Sequence, residues 1–98
     1  MTITNKKNDE QLKVSVEGRL DTTTAPQLEK FLNGNADGVK ELTVDLEKLE
    51  YISSAGLRVL LSAHKKMSKV GTMKVINVRD EVMEVFDMTG FADILDIG

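Results

Sequence analysis

The chain predicts an α/β fold: a small mixed, mostly parallel sheet with helices mainly on one face. Three observations carry this. Strand-type and helix-type patterns follow one another as strand, strand, helix, strand, helix, strand, helix, and such alternation implies parallel pairing through right-handed crossovers. Two of the strand segments alternate in polarity, whereas a sheet covered on both faces would read as continuous apolar runs. Finally, 98 residues make one domain, residues 1–98, with a single modest core.

Thr2 to Thr4 fits a short strand, and Asn5 to Glu10 is polar and turn-like. Leu12, Val14 and Val16 alternate with Lys13, Ser15 and Glu17, the period-two pattern of a half-buried strand. The two read as an antiparallel pair joined by a turn at Lys6-Lys7-Asn8-Asp9. Gly18-Arg19-Leu20-Asp21 leaves that pair. Thr24-Ala25-Pro26-Gln27 has capping-box spacing, with Thr24 as cap and Gln27 three residues on. Pro26 suits a first helical turn, where its missing N–H is harmless. Ala25, Leu28, Phe31 and Leu32 then form an apolar helical stripe, which Asn33-Gly34 is expected to end.

Leu42, Val44 and Leu46 make the next alternating strand. Glu47 to Glu50 reads as a charged connection. A helix is expected from about Ala55 to Val70, with Lys65, Lys66 and Lys69 near its C-terminus, where cations suit the helix dipole. Gly71 is expected as the residue just past its end. Met73 to Val78 is the last full strand. Asp80 is expected to cap a short helix carrying Val82, Val85 and Phe86, closed by Thr89-Gly90. Phe91 to Ile97 is apolar at mixed spacing and reads as a helical turn, a short strand, or both.

The totals exclude several kinds of function. With 13 basic and 16 acidic side chains the net charge is −3, which argues against nucleic acid and anionic membrane as main partners. The absence of cysteine removes disulfides and thiolate metal sites. No apolar run reaches membrane-spanning length. Met1 to Glu10 is polar and unlike a signal peptide, so a cytoplasmic location is expected. His64 is the only imidazole. It lies ten residues along the same predicted helix from Ser54, about 15 Å away and too far for proton transfer. The Ser53-Ser54-Ala55-Gly56 run lacks the spacing and the Lys of a phosphate-binding loop. No catalytic constellation is present, and no cofactor is expected.

What remains is one end of the sheet. The Asp21–Thr24 loop and the Ser53–Gly56 loop both leave strands at their C-terminal ends, where open α/β sheets carry function. Two serines stand at a helix start, whose free N–H groups and positive dipole end suit a capping hydroxyl and equally a phosphate. Gly56 in a first helical turn either lets a partner approach Ser54 closely or packs against a neighbouring loop.

At this point the chain resembles a known family, the bacterial anti-sigma-factor antagonists, which are small single STAS domains. Gly18-Arg19-Leu20-Asp21 with its threonines resembles the family's entry to its first helix. Val44-Asp45-Leu46, followed by Leu49 and Tyr51-Ile52-Ser53-Ser54-Ala55-Gly56-Leu57, resembles its phosphorylation segment. Val85-Phe86-Asp87-Met88-Thr89-Gly90-Phe91 resembles its C-terminal Phe-Asp-x-[Ser/Thr]-Gly motif.

The resemblance implies a STAS-like fold and a binding module, not an enzyme. It implies a partner that is both anti-sigma factor and serine kinase, and a serine/threonine phosphatase that resets the switch. The unphosphorylated form would bind the kinase and free the sigma factor. By position the acceptor is Ser54. Many members carry Asp just before the acceptor, where this chain has Ser53, so Ser53 is the alternative acceptor. The expected partner surface is Asp21, Thr22, Thr23, Ser53, Ser54, Gly56 and Arg58. The other reading is a STAS subunit of a lipid-transport or transporter complex, with the serines as caps only.

Overall fold

The computed structural model describes all residues 1–98. Its elements run β1 (Thr2–Asn8), β2 (Gln11–Leu20), α1 (Ala25–Asn35), β3 (Glu41–Asp45), β4 (Leu49–Ile52), α2 (Ser54–Met67), β5 (Thr72–Ile76) and α3 (Asp80–Thr89), then a 3-10 turn at Phe91–Asp93. The sheet order is β1-β2-β3-β5, with β4 also on β2. Only the β1–β2 pair is antiparallel. The alternation read in the sequence is thus the architecture of the molecule.

The polarity pattern also sets the layers. Leu12, Val14, Val16 and Leu20 are buried, while Gln11, Lys13, Glu17 and Arg19 are exposed. The helices contribute Leu28, Leu32, Leu57, Leu60, Val82 and Phe86 to the same core, so they cover one face and leave the other open. Burying a side chain such as Leu60 stabilises by roughly 1.5–3 kcal/mol.

Several boundaries differ from expectation, each for a local reason. The first hairpin turns at Asp9-Glu10 instead of Lys6–Asp9, because Asp9 adopts φ 52 and lets Asn8 pair with Gln11. Helix α1 runs through Asn33-Gly34 to Asn35. Thr24 precedes it without a side-chain cap bond, since its hydroxyl donates to the Arg19 carbonyl at 2.9 Å and accepts from the Asp21 N–H at 2.8 Å. The capping box is therefore replaced by a turn built on Asp21. Residues 49–52 form a strand, not a mere connection.

Helix α2 starts one residue early, at Ser54, and stops at Met67. Gly71 is required for a different reason from the one expected: a Cβ there would lie 1.9 Å from the Lys40 carbonyl oxygen. Strand β5 ends at Ile76, where Asn77 turns the chain with φ 57. Arg79, not Asp80, precedes α3 as its cap residue, and Asp80 is its first helical residue. Gly90 closes α3 at φ 80, as a left-handed helix end demands. The 91–97 stretch supplies both a 3-10 turn and a strand-like bridge. Ile97 pairs with Val75, the Val75 N–H donates to the Asp96 carbonyl at 2.8 Å, and the Gly98 N–H donates to the Val75 carbonyl at 3.0 Å.

Candidate functional site

The site is built where β2 and β4 end side by side. Leu20 pairs with Ile52, and the Ser53 N–H donates to the Leu20 carbonyl at 2.9 Å. The loop after β2 and the loop after β4 thus leave the sheet at one place. Both Leu20 and Ile52 are buried, so the backbone beneath the loops is anchored in the core.

Asp21 organises the first loop. Its Oδ1 accepts from the Thr23 hydroxyl at 2.7 Å, the Thr23 N–H at 3.0 Å and the Thr24 N–H at 3.1 Å. The Thr23 hydroxyl is the largest cause holding the Asp21 carboxyl below the ordinary carboxylate value; loss of water contact opposes it, and the two N–H groups and the Thr24 hydroxyl add to it. A carboxylate that collects donors in this way favours its charged form. Arg19 lies nearby, with its Nε 3.9 Å from Asp21 Oδ2 and its guanidinium 4.2 Å from the centre of the Tyr51 ring. Arg19 and Tyr51 are register partners across β2 and β4, which is what stacks them.

Ser53 and Ser54 differ sharply in role. Ser53 is the cap of α2, with extended backbone, and its Oγ accepts from the Gly56 N–H at 3.4 Å. Ser54 is the first helical residue and is exposed, with no cap duty. Arg58 is also exposed, one turn further on. With Thr22, Pro26 and Glu29 it lines a shallow recess of about 230 Å³ between the starts of α1 and α2.

Asp21, Thr22, Thr23, Ser53, Ser54 and Arg58 therefore gather at one edge. Gly56 does not share that surface. It is buried, and an added Cβ would meet Leu20 Cγ at 2.6 Å and Ile52 Cγ1 at 3.0 Å. The close approach that its missing side chain permits is to its own sheet. The Arg19–Tyr51 stack escaped the sequence reading, because it depends on a strand pairing that no local pattern displays. His64 stays far down α2, partly buried, with a buried Nδ1 that has no hydrogen-bond partner. No cluster of three His, Cys, Asp or Glu side chains could hold a metal ion. What the edge offers chemically is a free hydroxyl at the positive end of a 14-residue helix.

The chain is similar to known proteins along nearly its whole length. The STAS domain family model matches residues 2–98. BtrV of Bordetella bronchiseptica is 36% identical over 99% of this chain and 85% of its own. The anti-sigma-B factor antagonist of Bacillus subtilis is 32% identical over 94% of this chain and 85% of its own. The crystal structure of an anti-sigma factor antagonist from Mycobacterium paratuberculosis superimposes with a TM-score of 0.88 at 28% identity, covering 98% of this chain and 83% of that one.

Proposed function

Because this chain belongs to the STAS domain family, among the anti-sigma-factor antagonists, we propose that it is a non-catalytic, cytoplasmic binding module switched by phosphorylation of Ser54. In this reading its partner is an anti-sigma factor that is also a serine kinase. The unphosphorylated form binds that partner and releases the sigma factor. Phosphorylation by ATP ends the binding, and a serine/threonine phosphatase restores it.

The observation that carries the proposal is the difference between the two serines. Ser54 presents an exposed hydroxyl on the first turn of α2, whereas the Ser53 oxygen already accepts from the Gly56 N–H. A kinase can reach Ser54 without dismantling the cap. The product would add about −1.5 to −2 charges at a helix N-terminus, where its own fold tolerates them. A partner surface matched to a neutral hydroxyl would not tolerate them, since a buried unpaired charge is costly. The surface in question is Asp21, Thr22, Thr23, Ser53, Ser54 and Arg58, rigidly held by the Leu20–Ile52 anchor.

The test is incubation with ATP and the cognate kinase, read by intact mass and fragment mapping. Ser54→Ala should abolish the single addition of about 80 Da expected of one phosphate, and Ser53→Ala should only slow it. Full labelling of Ser54→Ala together with loss in Ser53→Ala would move the acceptor to Ser53. No labelling of the wild type would remove the switch.

A further inference from the structure

The face of the sheet turned away from the helices is uncovered, and one row across it is cationic. The registers place Lys6 opposite Lys13, Lys13 opposite Thr43, and Thr43 opposite Lys74. All three lysines are exposed. At a strand spacing of about 4.8 Å the row is roughly 14 Å long. Lys13 has Asp45 Oδ2 at 3.7 Å, while Lys6 and Lys74 have no carboxylate in ion-pair range. Like charges directly opposite one another, as Lys6 and Lys13 are, destabilise a sheet. In a chain of net charge −3 this row is a local reversal of sign. It floors a recess of about 460 Å³.

The neighbouring carboxylates on this face have partners of their own. Glu41 accepts from the Gln11 amide at 2.6 Å. Asp45 Oδ1 accepts from the Glu47 N–H at 3.0 Å and the Asn77 amide at 3.2 Å.

In the helix layer the opposite charge is confined to one helix, since α2 carries Arg58, Lys65 and Lys66 and no acid. Helix α3 holds Asp80, Glu81, Glu84 and Asp87, all exposed, and no basic residue. Asp80 and Glu81 are adjacent, and Glu84 and Asp87 follow at three- and four-residue spacings, so the acids line one side. Val82 and Phe86 occupy the other side, in the core. Ten helical residues are about 15 Å long, the length of the lysine row. Met88, 86% exposed, lies at the far end of the acidic stripe.

We propose that α3 of one copy of this chain docks across the Lys6–Lys13–Lys74 row of the next. Each molecule supplies both charges, on opposite sides of its sheet. Two copies cannot satisfy both surfaces at once, so the contact is heterologous and grows head to tail. It is a weak contact made mainly by solvated charges, and it should fade as salt screens it. The Ser54 edge lies at the C-terminal ends of β2 and β4, whereas the lysine row crosses the open face of the sheet.

The experiment is analytical ultracentrifugation of the intact protein over a concentration series, at low and high ionic strength. Average mass should rise with concentration at low salt and return to that of one chain at high salt. Two variants remove one surface each by neutral substitution: Lys6→Gln with Lys13→Gln and Lys74→Gln, and Glu81→Gln with Glu84→Gln and Asp87→Asn. Circular dichroism confirms that each is folded. Each alone should be monomeric, and their mixture should stop at a pair, because only one complementary contact remains. A wild type that stays monomeric at low salt overturns the proposal. So does a variant that associates like the wild type, or a mixture that fails to pair or grows beyond two.

Discussion

Replacing Gly56 with Ala sets two effects of opposite sign against each other. Ala favours a helix over Gly by at most about 1 kcal/mol, and less in a first turn. Against this, the new methyl would sit 2.6 Å from Leu20 Cγ and 3.0 Å from Ile52 Cγ1. Neither neighbour can swing aside, since Leu20 and Ile52 are 0% and 2% exposed. Overpacking a filled core costs typically about 1–3 kcal/mol. The clash should therefore win, leaving a net loss of roughly 1–2 kcal/mol and a Tm lower by about 4–8 °C for each kcal/mol. Urea melts of wild type and Gly56→Ala measure the net effect. The pair Leu20→Ala and Leu20→Ala/Gly56→Ala isolates the cause: with the Leu20 side chain trimmed, the added methyl should be neutral or stabilising. A single variant more stable than wild type, or one whose penalty is unchanged in the trimmed background, would refute the packing account of Gly56.

Three further outcomes are expected. Ser54→Asp should keep the domain folded, because a carboxylate at a helix N-terminus is favourable by roughly 0.3–1 kcal/mol. The same variant should bind the cognate kinase more weakly in calorimetric titration, and unchanged affinity in both this variant and the phosphorylated protein would count against the switch. Leu60→Ala should cost on the order of 2–5 kcal/mol in urea melts, as a fully buried Leu at the helix–sheet contact. Asp21, whose folded carboxyl lies below its ordinary value of 3.8, contributes stability above that pH and loses it as pH falls through the folded value. The melting difference between wild type and Asp21→Asn should thus shrink below about pH 4, and a difference that grows with acid would contradict the assignment.

Local signals and tertiary placement contributed unequally to what could be read in the chain. Period-two alternation in Leu12–Val16 and Leu42–Val44 identified both the strands and the open face, because side-chain direction in a strand depends only on parity. The helix start at Ser53-Ser54 was legible for a similar reason: capping is a contact within four residues. Strand β4 was not legible. It is four residues long, follows a charged stretch, and exists through its pairing with β2 beyond the irregularity at Gly18. Thr24 looked like a cap on spacing alone, but its hydroxyl is engaged by the Arg19 carbonyl and the Asp21 N–H, and the Gln27 N–H donates to the Thr24 carbonyl instead. Gly71 resembled a helix terminator, yet its requirement comes from the Lys40 carbonyl, thirty-one positions away. Within the site, residues on the two loops could be listed from sequence, whereas the Arg19–Tyr51 stack needed the register.

The bridge between Val75 and Ile97 bears on how the protein survives at high concentration. A sheet edge with free N–H and C=O groups is a template for another chain's strand. On β5 the Val75 N–H and C=O are both occupied, by Asp96 and Gly98. At Val75 that edge is closed by the chain itself, with Leu95 buried beneath as its anchor. The other edge, β1, is left with exposed Lys6 and Lys7, whose charges discourage an incoming strand. The two margins are thus guarded by different means, one by occupation and one by repulsion. Only the second weakens with salt, so any strand-mediated clumping in concentrated salt should begin along Thr2–Asn8.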